Sequence, residues 1–130
     1  MLTQQQRAEF KDILQKRFLD VREQIRQALL QADEESYIEL AGQVRDMENS
    51  SLADLLVDVS LADIDRHVEE IRDIDAALLR IAEGTYGICM DCDNDIDIAR
   101  LQAYPTAKRC RPCQVKYEDR RREPHRSTSL

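Results

Sequence analysis

The chain has no Trp, only two Phe and four Tyr, and just three Gly and three Pro among 130 residues. So few rings and chain breakers, with 35% of residues charged, exclude a ring-packed compact globule and leave long solvated helices. No apolar run approaches the roughly 20 residues a membrane span requires. The first residues, Met1-Leu2-Thr3-Gln4-Gln5-Gln6-Arg7, contain no apolar leader segment. The sequence therefore predicts a cytoplasmic protein in a reducing compartment.

Net positive charge is also lacking: the formal charge is -7, which argues against general nucleic-acid binding by the whole chain. Its distribution is uneven. Residues 46–84 carry eleven Asp/Glu against three Arg, whereas residues 108–130 carry eight Lys/Arg against three Asp/Glu. The ordinary reading of each stretch is a solvated helix face.

What the chain does have is four cysteines in two pairs: Cys89-Met90-Asp91-Cys92, then 17 residues, then Cys110-Arg111-Pro112-Cys113. Two C-x-x-C pairs at this separation match a structural zinc site, each pair offering two sulfurs from a tight knuckle. Four thiolates complete a tetrahedral shell and leave no open position for water or substrate, so one zinc is predicted to hold structure and no catalytic residue is assigned. Disulfides suit small secreted chains and are set aside. A thioredoxin-like pair would need only one C-x-x-C within a strand-helix-strand pattern. The alternating Asp91, Asp93, Asp95 and Asp97 fail the EF-hand pattern, with Ile96 where Gly is required and Gln102 at the twelfth position. They are read as loop and cap residues, with Asn94 in the turn conformation that often falls to Gly. A closed four-cysteine site also leaves His67 and His125 no role as ligands.

Phe10, Leu14, Phe18, Val21, Ile25, Leu29 and Ala32 recur at helical intervals after a capping box at Thr3 and Gln6. The stripe lapses at Asp33-Glu34-Glu35-Ser36 and resumes at Tyr37, Leu40, Ala41 and Val44, consistent with one long helix or with two meeting at a bend. A second helix is predicted from a cap at Ser51 or Asn49 to about Ala82. Its stripe is Val57, Leu61, Ile64, Val68, Ile71, Ile74, Leu78 and Ile81, widened by Leu52, Leu56 and Val59. Such a rod would be on the order of 45 Å long. Gly84 ends it. The predicted fold is mainly α: an antiparallel helical coiled-coil hairpin over residues 1–83 with its tip near 46–51, a small four-cysteine zinc-finger base over 84–113, a short C-terminal helix over 114–124 stopped by Pro124, and a disordered tail over 125–130.

The run Gly84-Thr85-Tyr86-Gly87-Ile88-Cys89-x-x-Cys92, then Ile96, Arg100-Leu101-x-Ala103-x-Pro105-Thr106-Ala107 and Cys110-x-x-Cys113, resembles the DksA/TraR family of bacterial transcription regulators. The likeness is most specific over 84–113 and extends less specifically along both hairpin helices from about Phe10. It implies a protein that binds bacterial RNA polymerase without contacting DNA, inserting the hairpin into the secondary channel so that tip carboxylates approach the catalytic centre. The chain itself is expected to be a monomer. Arg66 matches a family arginine that contacts the polymerase rim. The family tip pattern Asp-x-x-Asp-x-Ala falls on Asp46, Asn49 and Ser51, so the second carboxylate is a neutral amide here, with Glu48 as a substitute if the turn rotates it inward. The basic positions that hold guanosine tetraphosphate in responsive members fall on Asp73, Tyr104 and Gln114, poor hosts for a pyrophosphate. No alarmone binding is expected at that site.

Two other functions fit parts of the pattern. One is a zinc-finger nucleic-acid-binding protein using Lys108, Arg109, Arg111, Lys116, Arg120, Arg121 and Arg122, against which the overall acidity weighs. The other is an adaptor whose hairpin pairs with a partner coiled coil.

Overall fold

The computed structural model describes residues 2–122, without the side chains of Asn49 and Ser50. The proposed tail over 125–130 lies outside that range. Six helices follow one another: α1 (Gln4–Gln31), α2 (Glu35–Val44), α3 (Asn49–Leu55), α4 (Ala62–Glu83), α5 (Ile98–Ala103) and α6 (Arg111–Arg122).

α1 begins as its sequence dictates. Thr3 Oγ1 accepts from the Gln6 backbone N–H at 3.0 Å and the Gln6 side chain accepts from the Thr3 N–H at 2.8 Å. Every residue of its apolar stripe from Phe10 to Leu29 is buried. The opposing stripe is Ile64, Val68, Ile71, Ile74 and Ala77 of α4, and α1 and α4 pack along most of their lengths. Arg17 pairs with Glu70 across the seam and Phe10, earlier in α1, meets Tyr86 just beyond the end of α4, so the two helices run antiparallel. α4 ends at Gly84 in the left-handed conformation, φ 81°.

The distal half departs from a two-helix hairpin. α1 stops at Gln31, where Asp33 takes φ 54°, and α2 turns back to pack on α1. The Arg22 guanidinium donates to the Met47 carbonyl at 2.9 Å. A straight continuation would carry Met47 about 37 Å beyond Arg22, so the chain must reverse at 32–34. The turn that carries Asp46 therefore lies beside α1 some 14 Å short of its end.

The predicted second helix is also two. α3 covers about two turns, residues 56–61 form a loop, and only then does α4 begin. The segment Val57-Asp58-Val59-Ser60 explains the break: β-branched residues and short polar side chains favour helix weakly. Leu56 and Val59 bury themselves from the loop while Val57 is 65% exposed, contrary to its expected place in the stripe. Neither expected cap operates, since α3 starts at Asn49 with Glu48 as its N-cap and no side-chain cap bond.

Candidate metal centre and basic pocket

The metal-ligating residues sit where α4 hands over to the base. Gly87, at φ 85°, lets the chain turn into an antiparallel bridge between Ile88 and Asp95. Within that hairpin the Cys89 N–H donates to the Asn94 carbonyl at 2.8 Å and the Asp93 N–H to the Cys89 carbonyl at 3.0 Å. Asp93, with φ 63°, takes the left-handed turn position expected for Asn94, an exchange of neighbours that both tolerate it. The second knuckle is the start of α6, which begins at Arg111, three residues earlier than expected, and places Cys113 on its first turn. The Met90 N–H reaches the Lys108 carbonyl at 2.9 Å and Arg109 Nε the Asp91 carboxylate at 2.8 Å, so the knuckles are tied to each other.

The sulfurs of Cys89, Cys92, Cys110 and Cys113 all lie within 4.8 Å of one another, with Cys92 and Cys110 at 3.7 Å. A tetrahedral zinc with bonds of about 2.3 Å sets sulfur–sulfur edges of about 3.8 Å. The cluster therefore fits one structural zinc, and none of the four cysteines forms a disulfide. Burial raises the Cys89 thiol, but backbone N–H groups of Cys110, Cys92 and Asp91 outweigh it and bring it down to about 6. Hydrogen bonding to Cys110 pushes Cys113 up to about 12. Four close sulfurs cannot all ionise without a cation among them.

The base is locked onto the helices. Tyr86 is buried, its ring 5.5 Å from that of Phe10 and its hydroxyl donating to the Pro105 carbonyl at 2.7 Å. Burial pushes its phenol up to about 12, with Arg80 pulling in the opposite direction. Leu2 lies over Gly87 and Leu101, and Arg7 holds the Leu2 carbonyl at 2.8 Å. Arg100 Nε buttresses the Arg109 carbonyl at 3.0 Å. α5, which carries Arg100, lies within the predicted zinc-finger base, and the run Ile98-Ala99-Arg100-Leu101 after Asp97 is its signal in the sequence.

Asp73, Tyr104 and Gln114, far apart in sequence, line one open pocket of about 680 Å³ between α4 and α6. Arg72, Arg100, Lys108, Arg109 and Arg121 line it too, a set that sequence reading did not connect with it. Most of these cations are already engaged. Lys108 pairs with Asp73 at 3.4 Å, Arg100 and Arg109 are held as above, Arg109 lies over the Tyr117 ring at 3.9 Å, and Arg121, 5.6 Å from the ring centroid, donates to the Tyr117 hydroxyl at 3.2 Å.

The other singled-out residues lie far from the metal centre. Asp46 and Glu48 are exposed in the turn between α2 and α3, and Ser51 is exposed on α3. Asn49 opens α3, and its side chain is outside the described set. Arg66 is exposed on α4 and pairs with Asp63 at 3.3 Å. Among the described residues, no helix is long and apolar enough to cross a membrane.

Residues 84–119 match the prokaryotic dksA/traR C4-type zinc finger. The chain is 33% identical over 93 residues to the RNA polymerase-binding transcription factor DksA of Caulobacter vibrioides, a match covering 72% of this chain and 61% of that protein. General stress protein 16O of Bacillus subtilis is 32% identical over 68 residues, covering 52% of this chain and 40% of that one. The matched stretch thus spans about three fifths or less of these relatives. The transcription factor DksA2 from Pseudomonas aeruginosa has a similar fold, with a TM-score of 0.62 at 24% identity over 92% of this chain and 88% of its own.

Proposed function

Since the chain belongs to the DksA/TraR family, we propose that it is a cytoplasmic, monomeric transcription regulator, not an enzyme, that binds bacterial RNA polymerase and directs its helical end into the secondary channel. The observation that carries this reading is the combination, in one chain, of the family's zinc base with an exposed carboxylate, Asp46, in the distal helical half. A catalytic centre that holds magnesium favours oxygen ligands, so a carboxylate delivered there acts directly on the ion's surroundings. Asp46 is the main effector in this proposal, Glu48 an auxiliary acid, and Asn49 and Ser51 the neutral part of the contact. Arg66 contacts the rim, exchanging its exposed partner Asp63 for a polymerase group. Sequence-specific DNA contact is not part of the mechanism.

Guanosine tetraphosphate is not expected to bind between α4 and α6. Asp73 stands at one of the positions that would face the phosphates and takes up Lys108, while Arg109 and Arg121 are committed to Tyr117. The same commitment weakens the nucleic-acid alternative: Tyr117 is the aromatic among the basic residues of α6, and arginines cover it where a base would stack.

The test is pull-down of purified polymerase followed by transcription in vitro. Wild type should retain polymerase and Arg66→Ala should lose it. Asp46→Asn should bind but lose its effect on transcription, and Asn49→Asp should strengthen that effect. Recovery of nucleic acid without polymerase would overturn the proposal.

A further inference from the structure

The distal half of the chain can pack in two ways, and its sequence serves both. Neither reversal is marked by a breaker, since residues 30–36 and 55–62 contain no Gly or Pro. α1 opens with a complete capping box, whereas α2, α3 and α4 open at Glu34, Glu48 and Leu61 without any side-chain cap. Asp33 holds a left-handed φ of 54° that glycine adopts more readily.

The apolar phase runs through both breaks. Leu29, position 33, Tyr37, Leu40 and Val44 continue one helical line in which Asp33 is the polar member. Val57, Leu61, Ile64 and Val68 form another, yet Val57 is 65% exposed and Val59 is 8% exposed. In an unbroken helix the two valines exchange places: Val57 faces the seam, and Val59, 200° away, turns to solvent.

We propose that the distal half is a hinged arm, folded back in the free protein, in which α1 with α2 and α3 with α4 can each straighten into one helix. Arg22 is the clip of the folded form through its bond to the Met47 carbonyl at 2.9 Å. Straightening adds residues 32–44 to the length of α1, about 20 Å at 1.5 Å per residue, and carries Asp46 from the flank of α1 to the far end. Most of the stripe keeps its phase in both forms and Val57 and Val59 trade places as the covered valine, so small differences select between them. Resting on the proposed polymerase reading, the fold-back is the inactive state and the straight arm the one that enters the channel.

Small-angle scattering on the zinc-loaded full chain, with light scattering to establish the monomer, tests the hinge without polymerase. Asp33→Ala removes the residue type suited to the left-handed turn and favours helix, while Val59→Asp penalises the folded form. Both should lengthen the maximum dimension by about 20 Å. Glu35→Pro places proline at the first position of α2, after a residue at φ -112° and ψ 136° that accepts it, and forbids the straight helix. Glu35→Pro and Val57→Asp should keep the wild-type length. If Asp33→Ala and Val59→Asp are both as short as wild type, the hinge is wrong; if Val59→Asp loses its helical circular dichroism, Asp33→Ala decides alone. Polymerase affinity should then rise at least tenfold in Asp33→Ala and fall at least tenfold in Glu35→Pro. Equal affinities alongside the length change overturn the inactive-state assignment. No binding by any variant alongside the length change sinks the polymerase reading and leaves the hinge standing.

Discussion

The two ends of this molecule are held by different kinds of force. At the base, a four-sulfur metal site, the buried Tyr86 with its 2.7 Å bond to Pro105, and the Lys108–Asp73 and Arg109–Asp91 pairs each fix a specific geometry. At the distal end, α2 and α3 are ten and seven residues long. They are held by apolar contacts around Ala41, Val44, Leu52 and Leu56 and by the Arg22 bond to Met47. Apolar burial is strong but non-directional, so it fixes that these side chains are covered without fixing by what. A directional end can serve as an anchor, and a non-directional one can change its packing.

The sharpest way to break the contrast is to remove the metal. Chelation, or Cys110→Ser, should unfold residues 84–117 and leave α2 and α3 helical, as read by amide resonances. Zinc coordination in finger peptides is worth roughly 10–16 kcal/mol, more than any other single element here provides. Next, Leu14→Ala should lower global stability by about 2–5 kcal/mol in urea, because Leu14 is fully buried in the seam between α1 and α4. Leu52→Ala, equally buried, should cost less in the main transition, since α3 opens locally. Hydrogen exchange that is slower in α3 than in α1 would contradict the comparison.

A pH titration sharpens the description of the base. The Tyr86 phenol ionises near 10 when unfolded and near 12 in place. The folded form holds the proton more tightly, so this contribution, on the order of 2–3 kcal/mol, is fully present below pH 10 and lost as pH rises to 12. Tyr86→Phe should flatten stability across that window. The smallest effect is expected from Gly87→Ala, about 1–2 kcal/mol from the left-handed backbone alone. A Cβ there would also lie 2.9 Å from Leu2 Cδ1, which can move, so Leu2→Ala should relieve part of the loss.

The helical stripe of α1, its Thr3–Gln6 cap, the Gly84 terminus and the four metal ligands were all legible in the sequence, because each depends on residues within a few turns of one another or on ligand spacing. Asp46 and Arg66 were nameable through the family likeness, and both are exposed. The break at 32–34 was legible as one of two readings of the lapse at 33–36, though not the direction in which α2 turns, and the break at 56–61 was not legible. Val57 and Val59 are the same residue type two positions apart, and periodicity put Val57 in the stripe, but only the folded chain decides which of the two is buried.

By itself, then, the sequence determined the zinc base and the amphipathic faces, since thiolate spacing and helical period act locally. The tertiary structure decided where the arm turns, what Arg22 holds, and that Asp73, Tyr104 and Gln114 share a pocket with five basic side chains. Those outcomes depend on contacts between residues distant in the chain, for which a hydrophobic pattern specifies burial but not the partner.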